Sequence, residues 1–195
     1  MLIYNETQLV RELDELPLPR RVAFAGACAE RLLPAYATFH AKSKSGDPSF
    51  IEQALARLWA DLAGDTIVGA ALEQLITRCE ALVPDEEDDT WIEESAYAQN
   101  AAAAVAYALR CRAKGNAQEA GWAARQVYEA IDQYVIRREG IDVNAREAED
   151  GLRGHRLIQA ELERQKRDLE DLQSSQANVE EIRQRARLDG QQLFS

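Results

Sequence analysis

Residues 22–39 read VAFAGACAERLLPAYATF. On a wheel of 3.6 residues per turn, Val22, Phe24, Ala27, Cys28, Leu32, Leu33, Tyr36 and Phe39 point in nearly all directions, and a helix that is apolar all round belongs in the middle of a protein. Two charges and a proline interrupt it. Pro34 has no amide hydrogen to give the carbonyl of Glu30, so the helix is expected to bend there. Buried charges must be paired and hydrogen-bonded, so Glu30 and Arg31 should meet opposite charges on neighbouring helices, with Arg57 and Asp61 as candidates. Glu30, Arg31, Tyr36 and His40 form one candidate polar cluster, read as a structural ion-pair network because no nucleophile or metal ligand accompanies it.

Outward from this segment the chain stays helical. All five prolines (Pro17, Pro19, Pro34, Pro48, Pro84) lie in the first half, and the second half is rich in Ala, Glu, Gln and Arg, all strong helix formers. Alternating β-branched and polar runs are missing, which makes the chain all-α. Four pairs have capping-box spacing, in which one side chain accepts from an orphan amide and the other reaches back: Asn5 with Gln8, Thr90 with Glu93, Asn116 with Glu119, and Asn144 with Glu147. Asp47-Pro48 adds a cap followed by proline at the first helical position, and Gly64-Asp65 a stop followed by a start.

These signals predict helices at 6–16, 19–40, 48–63, 66–82, 90–113, 117–138 and 145–173, with an eighth at 176–189. Short loops make this a single-domain bundle of seven or eight helices over residues 1–195. The fifth and sixth should form a tight antiparallel hairpin across Lys114-Gly115-Asn116. Alanines from Ala101 to Ala108 would face bulk from Trp122, Val127, Ile131, Tyr134 and Val135. The charged segment 139–195 carries a stripe of Ile158, Leu162, Gln165, Leu169, Leu172, Gln176 and Val179 in steps of four and three. It is expected to lie on its own bundle, leaving a monomer or weak homodimer.

Composition bounds the function. At 195 residues, 46% hydrophobic and 29% charged, the chain can bury roughly 70% of its unfolded surface without metal or disulfides. Its longest apolar run, Ala101 to Leu109, is about half a membrane span, and its first residues lack a signal-peptide pattern. A net charge of -11 repels nucleic-acid backbones and anionic lipid and favours basic partners. Cys28, Cys79 and Cys111 are widely spaced and read as small buried hydrophobes in a reducing cytoplasm.

No catalytic motif stands out. Glu-x-x-His pairs of the kind that build metal sites in bundles are lacking, and His40 and His155 read as surface or interface residues. No metal or cofactor is expected. The acidic run Asp85, Glu86, Glu87, Asp88, Asp89, followed by Glu93 and Glu94, lacks the glycine turn of a calcium loop. It reads as a solvated helix start, with Trp91 and Ile92 making it a candidate partner surface.

Arg21-Val22-Ala23-Phe24, then Cys28-x-Glu30-Arg31-x-x-Pro34-x-Tyr36-x-x-Phe39, resembles the signature of the YjaG-like bacterial domain-of-unknown-function family (family number 416). Cys79-Glu80-Ala81-Leu82-Val83-Pro84 and the ending Gly190-Gln191-Gln192-Leu193-Phe194 are also similar to that family. The resemblance implies a bacterial cytoplasmic all-helical protein and brings no activity or catalytic residues. Two functions remain: a non-catalytic interaction module whose acidic surface meets a basic protein, and an enzyme or small-ligand binder with a pocket at the bend beside Glu30, Arg31 and Tyr36.

Overall fold

The computed structural model describes residues 1–87, 91–142 and 148–194. All regular structure among them is helical: α1 (Glu6–Asp14), α2 (Leu18–Ser43), α3 (Pro48–Leu62), α4 (Gly69–Ala81), α5 (Ser95–Lys114), α6 (Ala117–Glu139), α7 (Ala148–Gly154), α8 (Arg156–Gln173) and α9 (Val179–Gln192). None of these helices is long and apolar enough to cross a membrane.

The all-round apolar α2 occupies the centre and packs against α3, α5, α6, α8 and α9. Val22, Phe24, Cys28, Leu32, Tyr36 and Phe39 are buried. The helix runs without interruption through Pro34 and ends where Lys44, at φ 61°, turns its amide back to the His40 carbonyl. Two close approaches set its neighbours' distances. A Cβ built on Gly26 would stand 2.9 Å from the Trp59 ring of α3, and one on Gly190 of α9 would stand 2.8 Å from the Arg31 carbonyl oxygen. Arg21 ties the entrance of α2 to two other elements, donating to the carbonyls of Leu13, Asp14 and Leu16 at the end of α1 and to that of Gly115. Carbonyls at and just beyond a helix C-terminus lack amides of a following turn, and the guanidinium supplies donors to them, while the Leu13 carbonyl also accepts from the Leu16 amide at 3.1 Å.

Local signals account for the starts that match expectation. Asn5 and Asp47 side chains accept from Gln8 and Phe50 amides at 3.0 Å each, and Asn116 accepts from Gln118 at 2.9 Å. The capping boxes are only half formed, because Gln8 donates instead to Glu12 and Glu119 binds Arg110 and Lys114. The α5–α6 hairpin forms with Gly115 left-handed at φ 68°. Alanines of both helices and Val127, Ile131 and Val135 fill the seam. Trp122 and Tyr134 are not in that seam. They lie half-buried at its rims, Trp122 against Tyr107 and Tyr134 against Tyr97 and Phe194.

Three predicted boundaries are corrected. The helix expected at 145–173 is broken, because His155 is extended at φ −64°, ψ 136° and caps α8, its Nδ1 accepting from the Leu157 amide. Its Nε2 hydrogen then donates to Glu139 at 2.9 Å, so this histidine is a structural link between α6 and α8. The helix expected from 90 begins at Ser95, whose hydroxyl accepts from the Ile92 amide at 2.9 Å. The helix expected from 66 starts after Val68, because the Asp61 carboxylate takes the Ile67 amide at 2.8 Å and holds that stretch off the helix. The Thr90 and Asn144 boxes lie outside the described residues.

Within the charged stripe, Ile158, Leu162, Gln165, Leu169 and Leu172 are buried, while Gln176 is exposed and Val179 half-buried. Gln165 donates to the Ala124 carbonyl of α6 at 3.2 Å, which is how a polar stripe position sits under the bundle.

Candidate functional site

Glu30 and Arg31 are neighbours in sequence and about 100° apart around α2, so they face different helices. Arg31 is completely buried. Its guanidinium donates to Asp168 at 2.7 Å and stands 3.2 Å from Glu161, both on α8, and it reaches the Cys28 sulfur at 3.4 Å. Desolvation opposes its charge, but the two carboxylates prevail and hold it firmly protonated. Burial pushes the Glu161 carboxyl up despite Arg31 and the Gln165 amide that donates to it. Asp168 is shared outward, accepting from Arg185, which also binds Asp171.

Glu30, 3% exposed, faces α3 and α9 instead. One oxygen accepts from the Trp59 indole at 2.9 Å and the other from Arg187 Nε at 2.9 Å. The partners expected on α3 are therefore replaced. Arg57 pairs with Asp65, and Asp61 takes Arg112 through two bonds of 2.5 and 3.2 Å. The reason is register, since the α2 positions of Glu30 and Arg31 present their charged ends to α8 and α9, whose packing could not be read from α2 alone.

The remaining members of the predicted polar cluster point elsewhere. Tyr36 donates to the Leu82 carbonyl at 2.9 Å and is buried against Gly46. The ring of His40 bonds the Ser45 carbonyl at 2.8 Å through Nδ1. Glu30 lines a cleft of about 360 Å³ with Leu33, Pro34, Glu52, Arg183 and Arg187, and Arg31 and Tyr36 are not part of it.

Asp85, Glu86 and Glu87 are exposed, and the Asp85 carboxylate accepts from the Glu87 amide at 3.0 Å. Asp88 and Asp89 lie outside the described residues. Trp91 is half-buried and lines a cleft of about 260 Å³ with Phe39, Pro84 and Asp85. Glu94 is withdrawn from this run by Lys42; burial alone would raise its carboxyl, but the bond to Lys42 carries it below the usual range.

Burial pushes the thiols of Cys28, Cys79 and Cys111 up to about 12, so none is a ready nucleophile or ligand at neutral pH. Among the described residues no group of three or more His, Cys, Asp or Glu could hold a metal ion. Sequence reasoning missed Glu161, Asp168 and Arg187 as the partners of the α2 charges. A signal existed, because Glu161, Gln165 and Asp168 follow i, i+4, i+7 spacing beside the apolar stripe, which places three polar side chains on a face turned inward.

A family model described as "Protein of unknown function (DUF416)" matches residues 8–192. The fold is similar to that in a crystal structure of a DUF416 family protein from Shewanella baltica OS155, with a TM-score of 0.77 and 22% identity over 94% of this chain and 93% of that one. At that identity the likeness concerns the fold alone. No curated protein matches the chain.

Proposed function

The chain belongs to the family described as protein of unknown function (DUF416), and from that premise we propose that it is a non-catalytic helical module that presents an acidic surface to a basic protein partner. The observation that carries this reading is a contrast in how charges are used. In the interior, Arg31, Glu161, Asp168 and Glu30 are bound to one another's helices or to arginines of α9. At the surface, Asp85, Glu86 and Glu87 stand exposed with no ion pair to another described residue. A net charge of -11 extends the attraction for a basic partner beyond contact distance. Trp91, at the rim of the cleft beside Asp85, gives that partner an apolar anchor. The reading places the protein in the cytoplasm as a monomer or weak homodimer, away from membranes and without direct contact to nucleic acid.

Two facts support a binding module over an enzyme centred on the α2 charges. Arg31 is out of reach of any substrate, and the Tyr36 hydroxyl is occupied by a carbonyl. The test is affinity purification of the full chain from its native cell, in parallel with Asp85→Asn/Glu86→Gln/Glu87→Gln. A basic protein recovered in stoichiometric amount with the wild type, released by high salt and lost from the triple variant, is expected. Recovery of the same protein in equal amount on both baits, or of no stoichiometric protein, overturns the reading.

A further inference from the structure

The cleft between α2, α3 and α9 carries charges that the ion-pair network of the core does not use. Its floor is the buried Glu30, already neutralised by Arg187 at 2.9 Å. Once that pair is set aside, one guanidinium and one carboxylate remain on facing elements. Arg183 of α9 lies over the Trp59 ring at 5.6 Å, with its Nε buried and without a hydrogen-bond partner, and its only ion pair among the described residues is a loose 3.7 Å contact with exposed Glu180. Glu52 of α3 is exposed and pairs with no described cation. Between them Leu33 and Pro34 supply an apolar wall.

We propose that this cleft binds a free α-amino acid with an apolar side chain. The carboxylate would meet Arg183 and the two terminal nitrogens of Arg187, which bind no other described residue, and guanidinium forks suit a carboxylate. The ammonium would meet Glu52, and the side chain would cover Leu33 and Pro34. A plain anion would leave Glu52 opposing it and a plain cation would leave Arg183 opposing it, so a zwitterion is the charge-matched ligand. The volume of about 360 Å³ falls in the range of small-molecule sites. The site shares no lining residue with the cleft beside Asp85 and does not rest on the acidic-surface reading.

The experiment is a titration of the full chain with L-leucine, followed by the 15N–1H resonance of the Trp59 indole, whose N–H is anchored on the cleft floor. A saturable shift is expected. 4-Methylpentanoate, which lacks the ammonium, and 3-methylbutylamine, which lacks the carboxylate, should each bind about tenfold more weakly, as should L-leucine to Arg183→Gln and to Glu52→Gln. Both substituted side chains are at the surface of the cleft, and the fold is checked by the unchanged spectrum of the free variants. No saturable shift, equal binding of 4-methylpentanoate, or unchanged affinity in both variants overturns the proposal.

Discussion

Gly190 of α9 rests on the backbone of Arg31, so closely that a Cβ there would stand 2.8 Å from the Arg31 oxygen and 3.0 Å from its Cα. The contact sets the depth at which α9 lies on the central helix, and hence where Arg187 meets Glu30. Gly190→Ala must push two backbones apart, because neither atom belongs to a flexible side chain. Overpacking of this kind costs about 1–3 kcal/mol, more than the roughly 1 kcal/mol of helix propensity that alanine brings. Gly151→Ala, with nothing within 4 Å of the new methyl, should be neutral or stabilising. Denaturant unfolding of the two variants reads the difference, and equal stability would show that α9 is not held at this distance.

Adjacent charges on α2 should respond unequally to removal. Arg31→Met leaves Glu161 and Asp168 buried without their shared cation and should cost about 3–5 kcal/mol. Glu30→Gln strands nothing in the interior, since Arg187 is 59% exposed and water can take its charge, while the new amide oxygen still accepts from Trp59. Its cost should be under about 1 kcal/mol, as for exposed pairs. The ion-pair network read for Glu30 and Arg31 together should therefore divide by cost, with Arg31 the costly member. Thermal melts that place Glu30→Gln at or below the stability of Arg31→Met would contradict this.

This division marks the limit of what the sequence discloses. Features with a local cause are legible: the burial of α2 from its all-round apolar wheel, the caps at Asn5, Asp47 and Asn116 from side chain and amide within three residues, and the turn at Gly115 from its left-handed conformation. Features that depend on a distant segment are not. His155 breaks the C-terminal helix because Glu139 of α6 holds its other nitrogen, and Arg31 finds its acids 130 and 137 positions away. The cleft beside Glu30 needs three helices at once, and only its α2 wall could be anticipated.

The three cysteines should be inert in the native protein. With each side chain buried and each thiol near 12, the thiolate fraction at pH 8 is negligible and access is blocked. Iodoacetamide should modify none of them in the folded state and all three in denaturant, as counted by intact mass. Rapid native labelling of Cys28 would mean that the Arg31 contact at 3.4 Å activates the sulfur.

Acid stability should draw on Asp61. Burial by itself would raise its carboxyl, but bonds from Arg112 and from the Ile67 amide outweigh it, and the native carboxyl titrates below the ordinary 3.8. For a carboxylate depressed by folding, the contribution is complete above the unfolded value and is lost as pH falls through the native one. Asp61→Asn should therefore cost about 1–3 kcal/mol at neutral pH, the range for bonds to a charged group, and the gap to wild type should close as pH drops below about 3.8. Glu161 works in the other sense. Its carboxyl is raised by folding, so the native state holds a proton that the unfolded chain has released, and wild-type stability declines as pH rises from 4.5 toward the native value. Glu161→Gln should remove that decline without touching the Asp61 limb. Denaturant unfolding in steps from pH 2 to 8 separates the two, and an Asp61→Asn deficit that stays constant to the lowest pH would show that its role is shape and not charge.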